Sequence, residues 1–229
     1  MIGPVRRNPS TVVVLAGRTT EPVLAAVGRS LNVVLVRPGE PPSGTGNGTT
    51  GHGTTGTAGI EAAAGALRRA AGIAAPYVLV SADPLSSVAT AWQAMWEVTA
   101  EPRGGDEFEL RAAEALAAWR AKAFELPDYY LVLADEAGPG GADTAGAAGS
   151  GERGADFYLG PLRSVRPNRV AVAAGASPAA QADALLTELG SLRHGPWWPP
   201  LDQVVAAVRG YYPGTLAESP ATGRPGLLS

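Results

Sequence analysis

Few residues of this chain are of a type that does covalent or metal chemistry. It has no cysteine, two histidines and a single lysine, Lys122, among 18 Lys and Arg residues. His52 lies in a Gly/Thr-rich tract, which leaves His194 as the only histidine in a segment expected to be ordered. Most nucleophilic, general-base and transition-metal chemistry runs through thiolate, imidazole and amine groups. No G-x-S-x-G elbow, H-E-x-x-H pair or lysine-bearing phosphate loop is present. The remaining candidates are carboxylates, arginines and aromatics.

Asp83, Asp135 and Glu136 each follow an apolar run that reads as a strand. In a parallel sheet the C-terminal ends of the strands line the usual ligand crevice. Three carboxylates converging there would offer hard oxygen ligands to Mg or Mn, as in phosphoryl transfer or nucleic-acid cleavage. The competing reading makes Asp83 a helix cap ahead of Pro84 and leaves Asp135 and Glu136 as solvated acids. No D-x-D spacing favours the metal.

Arg163, Arg166 and Arg169 concentrate positive charge around a turn at Ser-Val-Arg-Pro-Asn, expected to be the tip of a hairpin. Guanidinium forks there suit a phosphate, a carboxylate or a nucleic-acid backbone. They equally suit mere solvation of an exposed hairpin. Trp197 and Trp198, beside His194 and two prolines, form the second unusual cluster, with Tyr211 and Tyr212 downstream. Adjacent aromatics cannot all face inward, so some should anchor a partner; otherwise they lock the C-terminal helix onto the sheet. His194, beside Arg193, reads as a cap of helix carbonyls.

Gly17, Arg18 and Thr19, followed by Thr20, link the first strand to its helix. Such a turn holds an anion or simply caps the helix, and Arg37 would add charge nearby. Gly46, Gly48 and Gly51 match a dinucleotide-binding pattern, but they lie inside a Gly/Thr tract rather than between a strand and a helix.

The elements that must position these groups follow from periodicity. Thr11–Ala16, Asn32–Arg37, Tyr77–Ala82 and Tyr129–Ala134 are continuous apolar runs separated by helical patterns, the signature of a parallel sheet covered on both faces. Helices are expected over Glu21–Ser30, after Asp83-Pro84 (Leu85, Val88, Trp92, Met95, Trp96), and after a capping box at Asp106 and Glu109 (Phe108, Ala112, Ala115, Trp119, Ala123). Lys122 reads as a solvated residue of that last helix. Two more helices open at Ser177-Pro178 and run from Leu201 to a glycine stop at Gly210. Phe157–Arg163 and Arg169–Ala173 read as strands with no helix between them, hence an antiparallel meander with Pro161 on an edge or bulge.

The expected fold is therefore a single α/β domain over residues 1–217. Its mixed sheet is parallel in the N-terminal part and antiparallel in the C-terminal meander, flanked by helices. Residues 38–58 and 138–154 are Gly-rich inserted loops expected to be mobile, and 218–229 a disordered tail. An ordered part of roughly 170–190 residues buries a core without disulfides or structural metal.

Net charge of −3 provides no global attraction to nucleic acid or anionic membranes. No apolar run approaches the ~20 residues of a spanning helix, and no signal-peptide core follows Arg6 and Arg7, so a cytoplasmic protein without a membrane partner is expected. The preference for Arg, Ala, Gly and Pro fits a GC-rich bacterial genome. Taken together, the residues favour a binding or assembly module that holds a protein partner or a second copy of itself through the arginine turn and the aromatics. An anionic ligand or nucleic acid would suit the same chemistry. The alternative is a Mg- or Mn-assisted enzyme acting on a phosphorylated or nucleic-acid substrate, with Arg18 or Arg163 clamping the anion.

Overall fold

The computed structural model describes residues 10–17, 19–39, 57–96, 104–135 and 155–211. Five strands form one sheet in the order β2-β3-β1-β4-β5: β1 (Thr11–Gly17), β2 (Val33–Val36), β3 (Tyr77–Val80), β4 (Tyr129–Asp135) and β5 (Val170–Gly175). The four apolar runs expected as strands are strands, and every pairing is parallel. β1 is central, its Val14 level with Val80 on one side and Tyr130 on the other.

Alternation divides the core. Val13, Leu15, Leu79, Leu131 and Leu133 face α1 (Glu21–Val27) and the helix after β5, Pro178–Gly190. Val12, Val14, Val78, Val80, Tyr130 and Val132 face the opposite layer. That layer holds α2 (Thr57–Ala71), α3 (Ser86–Ala94), α4 (Gly104–Arg120) and the C-terminal helix Leu201–Arg209. Both faces of the central strands are covered, which is why they read as unbroken apolar runs.

The antiparallel meander does not exist. Residues 155–165 are helical: a π-helical turn, Tyr158–Leu162, leads into a single α-turn, α5 (Arg163–Val165), and a 3-10 turn, Pro167–Arg169, delivers the chain to β5. The helices after β5 are α6 (Pro178–Gly190) and α7 (Leu201–Arg209). Parallel strands need a crossover long enough to return to the starting edge, and this helical run provides it between β4 and β5. Phe157, Tyr158 and Leu162 are buried together on one side, a helical spacing that aromatic content disguised as a strand. Pro161 lacks the amide for a normal helical bond. The turn widens around it, and the Arg163 amide donates to the carbonyl of Tyr158, five residues back.

Local signals fared unevenly. Ser177 caps α6 by accepting from the Ala180 amide, and Gly210 ends α7. The capping box does not form: α4 starts at Gly104, so Asp106 lies within its first turn. Glu109 instead pairs with Arg209 of α7 through two bonds of 2.7 Å. Lys122 is not on the helix. It lies just past α4 with φ of 57°, the left-handed position where its amide closes onto Trp119 O. Of the two glycine-rich loops, residues 40–56 and 136–154 lie outside the described residues, as does 212–229. Thr57 and Ala58, assigned to the first loop by composition, open α2.

Candidate functional site

Two groups of candidate residues lie at opposite ends of the sheet. At the C-terminal end, β1 sits between β3 and β4. The chain leaves β1 toward the α1 face, whereas the connections after β3 and β4 run over the other face. This divergence is the topological switch point at which doubly wound sheets bind ligands.

Gly17 ends β1 with φ of 81°, and a Cβ there would stand 2.6 Å from Leu133 O, so no other residue fits. The Thr19 amide donates back to Gly17 O, and Thr20 enters α1 without a side-chain cap bond, its Oγ1 buried and unpartnered. Arg18 lies outside the described residues. Arg37 does not add free charge here: its guanidinium forks onto Glu21 in the first turn of α1, with bonds of 3.0 and 2.6 Å.

Asp83, three residues beyond β3, is 8% exposed. Its Oδ1 accepts from the Leu85 amide at 2.9 Å, which ties down the connecting turn, but Asp83 is not the helix cap expected from sequence: α3 opens at Ser86 with Leu85 at its N-cap, leaving Pro84 in the turn. The same oxygen accepts from Tyr130 Oη at 3.1 Å, and Oδ2 accepts from Tyr158 Oη. Burial pushes the carboxyl up to about 6, although all three donors pull the other way. Both phenols are held well above their usual value, by burial first and by the Asp83 charge second. Asp135 ends β4 opposite Gly175, while the Asp135 side chain and Glu136 lie outside the described residues. Among the described residues no three His, Cys, Asp or Glu side chains are grouped to hold a metal. A cation at Asp83 would have to compete with a hydrogen-bond set that already uses both carboxylate oxygens.

The arginines and tryptophans meet at the N-terminal end of the sheet, on a loop-to-turn junction rather than a hairpin. Arg169, the residue before β5, is buried at 8% exposure. Its guanidinium donates to Gly195 O at 2.7 Å, Pro196 O at 3.2 Å and Asp128 O at 3.3 Å. It is also stacked between the rings of Tyr129 and Trp197, 4.8 Å from each centroid. Arg166 donates to Trp197 O at 2.7 Å and to Val165 O at 2.9 Å. Trp198 is buried with Nε1 donating to Pro127 O at 2.9 Å, its ring edge-on to Tyr130.

The bonds from Arg166 to Trp197 and from Arg169 to Gly195 and Pro196 fasten segment 191–200 to segment 163–169, and Trp198 ties it to Pro127 ahead of β4. Arg169 and Trp198 serve that attachment from inside, and their burial could not be read from sequence because every partner is a distant backbone carbonyl. Trp197 differs from its neighbour: it is 43% exposed while one ring face lies against Arg169. Arg163, Arg193 and His194 are exposed around the same junction, and His194 lies four residues past the end of α6 rather than capping it.

Comparison with protein-family models, with curated proteins and with solved structures finds no match to this chain. Among the described residues, no helix is long and apolar enough to cross a membrane.

Proposed function

We propose that this protein is a binding module that grips an acidic segment of a partner protein at the N-terminal end of its sheet. One observation carries the reading. Two segments without a single carboxylate, 163–169 and 191–200, are bound to each other, and Arg163, Arg193 and Trp197 are exposed on them. In a chain of net charge −3, this is a local excess of positive charge.

Trp197 is suited to act as the anchor. Its backbone carbonyl is held by Arg166 and its ring by Arg169, so little side-chain freedom is lost when a partner covers it. The exposed arginines would supply orientation and encounter rate. The Mg or Mn alternative has less behind it, because Asp83 is enclosed by two phenols and an amide.

The test is fluorescence anisotropy of a dye-labelled poly-glutamate peptide titrated with the full chain at low ionic strength. Saturable binding is expected, weakened about tenfold in Arg163→Ala/Arg193→Ala, a change of about 1.4 kcal/mol. Neither side chain has a hydrogen-bond partner among the described residues, so the melting temperature should hold. Binding that is absent, or indifferent to the substitutions, refutes the proposal. Tighter binding of a single-stranded oligonucleotide through the same residues would replace the protein partner with nucleic acid.

A further inference from the structure

The buried carboxylate at the other end of the sheet plays no part in the proposed partner binding. Asp83 is the meeting point of three elements: the turn into α3 through Leu85, strand β4 through Tyr130, and the π-helical turn through Tyr158. Two of these are fixed independently. β4 lies between β1 and β5 with parallel ladders on both sides, and β3, which carries the turn, lies between β2 and β1. The 155–165 run has no ladder. It is interrupted by Pro161, its π-helical bonds are longer-range than those of an α-helix, and its Gly160 backbone lies against the Tyr211 ring, where a Cβ would be 3.1 Å away. The Tyr158–Asp83 bond is a side-chain link from this run to the β3–α3 turn.

We propose that Asp83, Tyr130 and Tyr158 form a proton-operated latch that holds the 155–165 run against the sheet more firmly when Asp83 is protonated than when it is ionised. Closed, the carboxyl is shut away from water, and among the described residues only hydroxyl and amide dipoles are available to solvate a charge. Open, water reaches it. The ionised form therefore gains more from opening than the neutral form does.

The groups that act on Asp83 are the phenol of Tyr130 from β4, the phenol of Tyr158 from the helical run and the Leu85 amide from the turn. Both phenols stay protonated far above neutrality, so neither competes for the proton. Among the described residues, no lysine or arginine belongs to the groups that offset the charge. This inference stands apart from partner binding and fails or holds independently of it.

Native-state hydrogen exchange of the intact chain tests it, with rates corrected for the intrinsic effect of pH. The amides of Leu159, Gly160 and Leu162 should exchange through an opening less costly than the one that exposes Val13 and Val14 of β1, with little dependence on added urea. The open fraction of 155–165 should rise roughly 30-fold from pH 4.5 to 7.5. Asp83→Asn, which keeps the shape and cannot ionise, should flatten that rise. If Asp83→Asn folds poorly, Tyr158→Phe provides the second arm: it should loosen the same amides at both pH values while leaving β1 protected. Two results would overturn the latch. One is a pH-independent opening in the wild-type chain; the other is exchange of 155–165 that coincides with β1 in rate and urea dependence.

Discussion

Replacing Arg169 with methionine should detach the C-terminal loop from the sheet before it unfolds the molecule. The guanidinium donates to Gly195 O at 2.7 Å, to Pro196 O at 3.2 Å and to Asp128 O at 3.3 Å. A short charge-assisted bond contributes ~1.5–2 kcal/mol net, and the two longer ones together about 1. Stacking between Tyr129 and Trp197 adds about 1 more. Methionine keeps the apolar stem packed and relieves the cost of burying a cation, so part of that sum returns. The expected net loss is about 3 kcal/mol, felt first where the carbonyl partners lie. Arg193 sits in the released loop and is exposed, so it reports as a tryptic site. If cleavage follows local opening, its rate at Arg193 should rise about 100-fold in Arg169→Met, while Trp197 fluorescence shifts toward that of a solvated indole. Arg169→Lys should recover little, since an ammonium cannot reach three carbonyls in a fork. Unchanged cleavage at Arg193, together with a urea midpoint lowered by less than about 1 kcal/mol equivalent, would refute the assignment of Arg169 as the fastener.

Further outcomes follow from single sites. Asp83 is raised to about 6 in the folded chain against 3.8 for an unperturbed aspartate, so the native state binds the extra proton. Its stability contribution is complete below the lower value and lost as pH rises through the upper one. Relative to Asp83→Asn, the wild-type chain should lose about 1.4 kcal/mol between pH 5 and 7.5 in urea titrations, and parallel profiles would contradict this. Lys122→Gly should stabilise the chain by roughly 0.5–1 kcal/mol, because φ of 57° strains a residue with a Cβ; differential scanning calorimetry reads the shift. Gly17→Ala should cost about 3 kcal/mol or abolish folding, since its Cβ would meet Leu133 O at 2.6 Å; circular dichroism melting decides.

The central sheet was legible because buried parallel strands leave unbroken apolar runs, as in Thr11–Ala16 and Tyr129–Ala134. Helix α2 has a fainter signature: Ile60, Ala64 and Leu67 share a face, but alanines dilute the contrast that marks a stripe. Phe157–Arg163 misled because aromatic and aliphatic residues favour strands, although Gly160 and Pro161 argue against a ladder and the next strand needs a crossover. Asp83 reads in sequence as the cap of α3, yet that helix opens at Ser86, behind Leu85, and the carboxylate holds the turn before it. The phenolic partners of Asp83 were not legible, since Tyr130 and Tyr158 lie 47 and 75 residues away. The same distance problem hid Arg169. A charged side chain next to a turn is ordinarily a surface residue, and only the folded chain brings Gly195, Pro196 and Asp128 around it.

The strand order has a consequence for synthesis of the protein. β1 leaves the ribosome first, yet its earliest ladder partner begins at Tyr77 and its other at Tyr129. β2 likewise waits for Tyr77. Until then two sticky segments, TVVVLA and NVVLV, travel unpaired on the nascent chain, open to capture by one another or by a chaperone. The centre of the finished sheet is thus made early and seated late. Codons that slow translation between Val36 and Tyr77 would therefore prolong the interval of greatest aggregation risk more than pauses after β5.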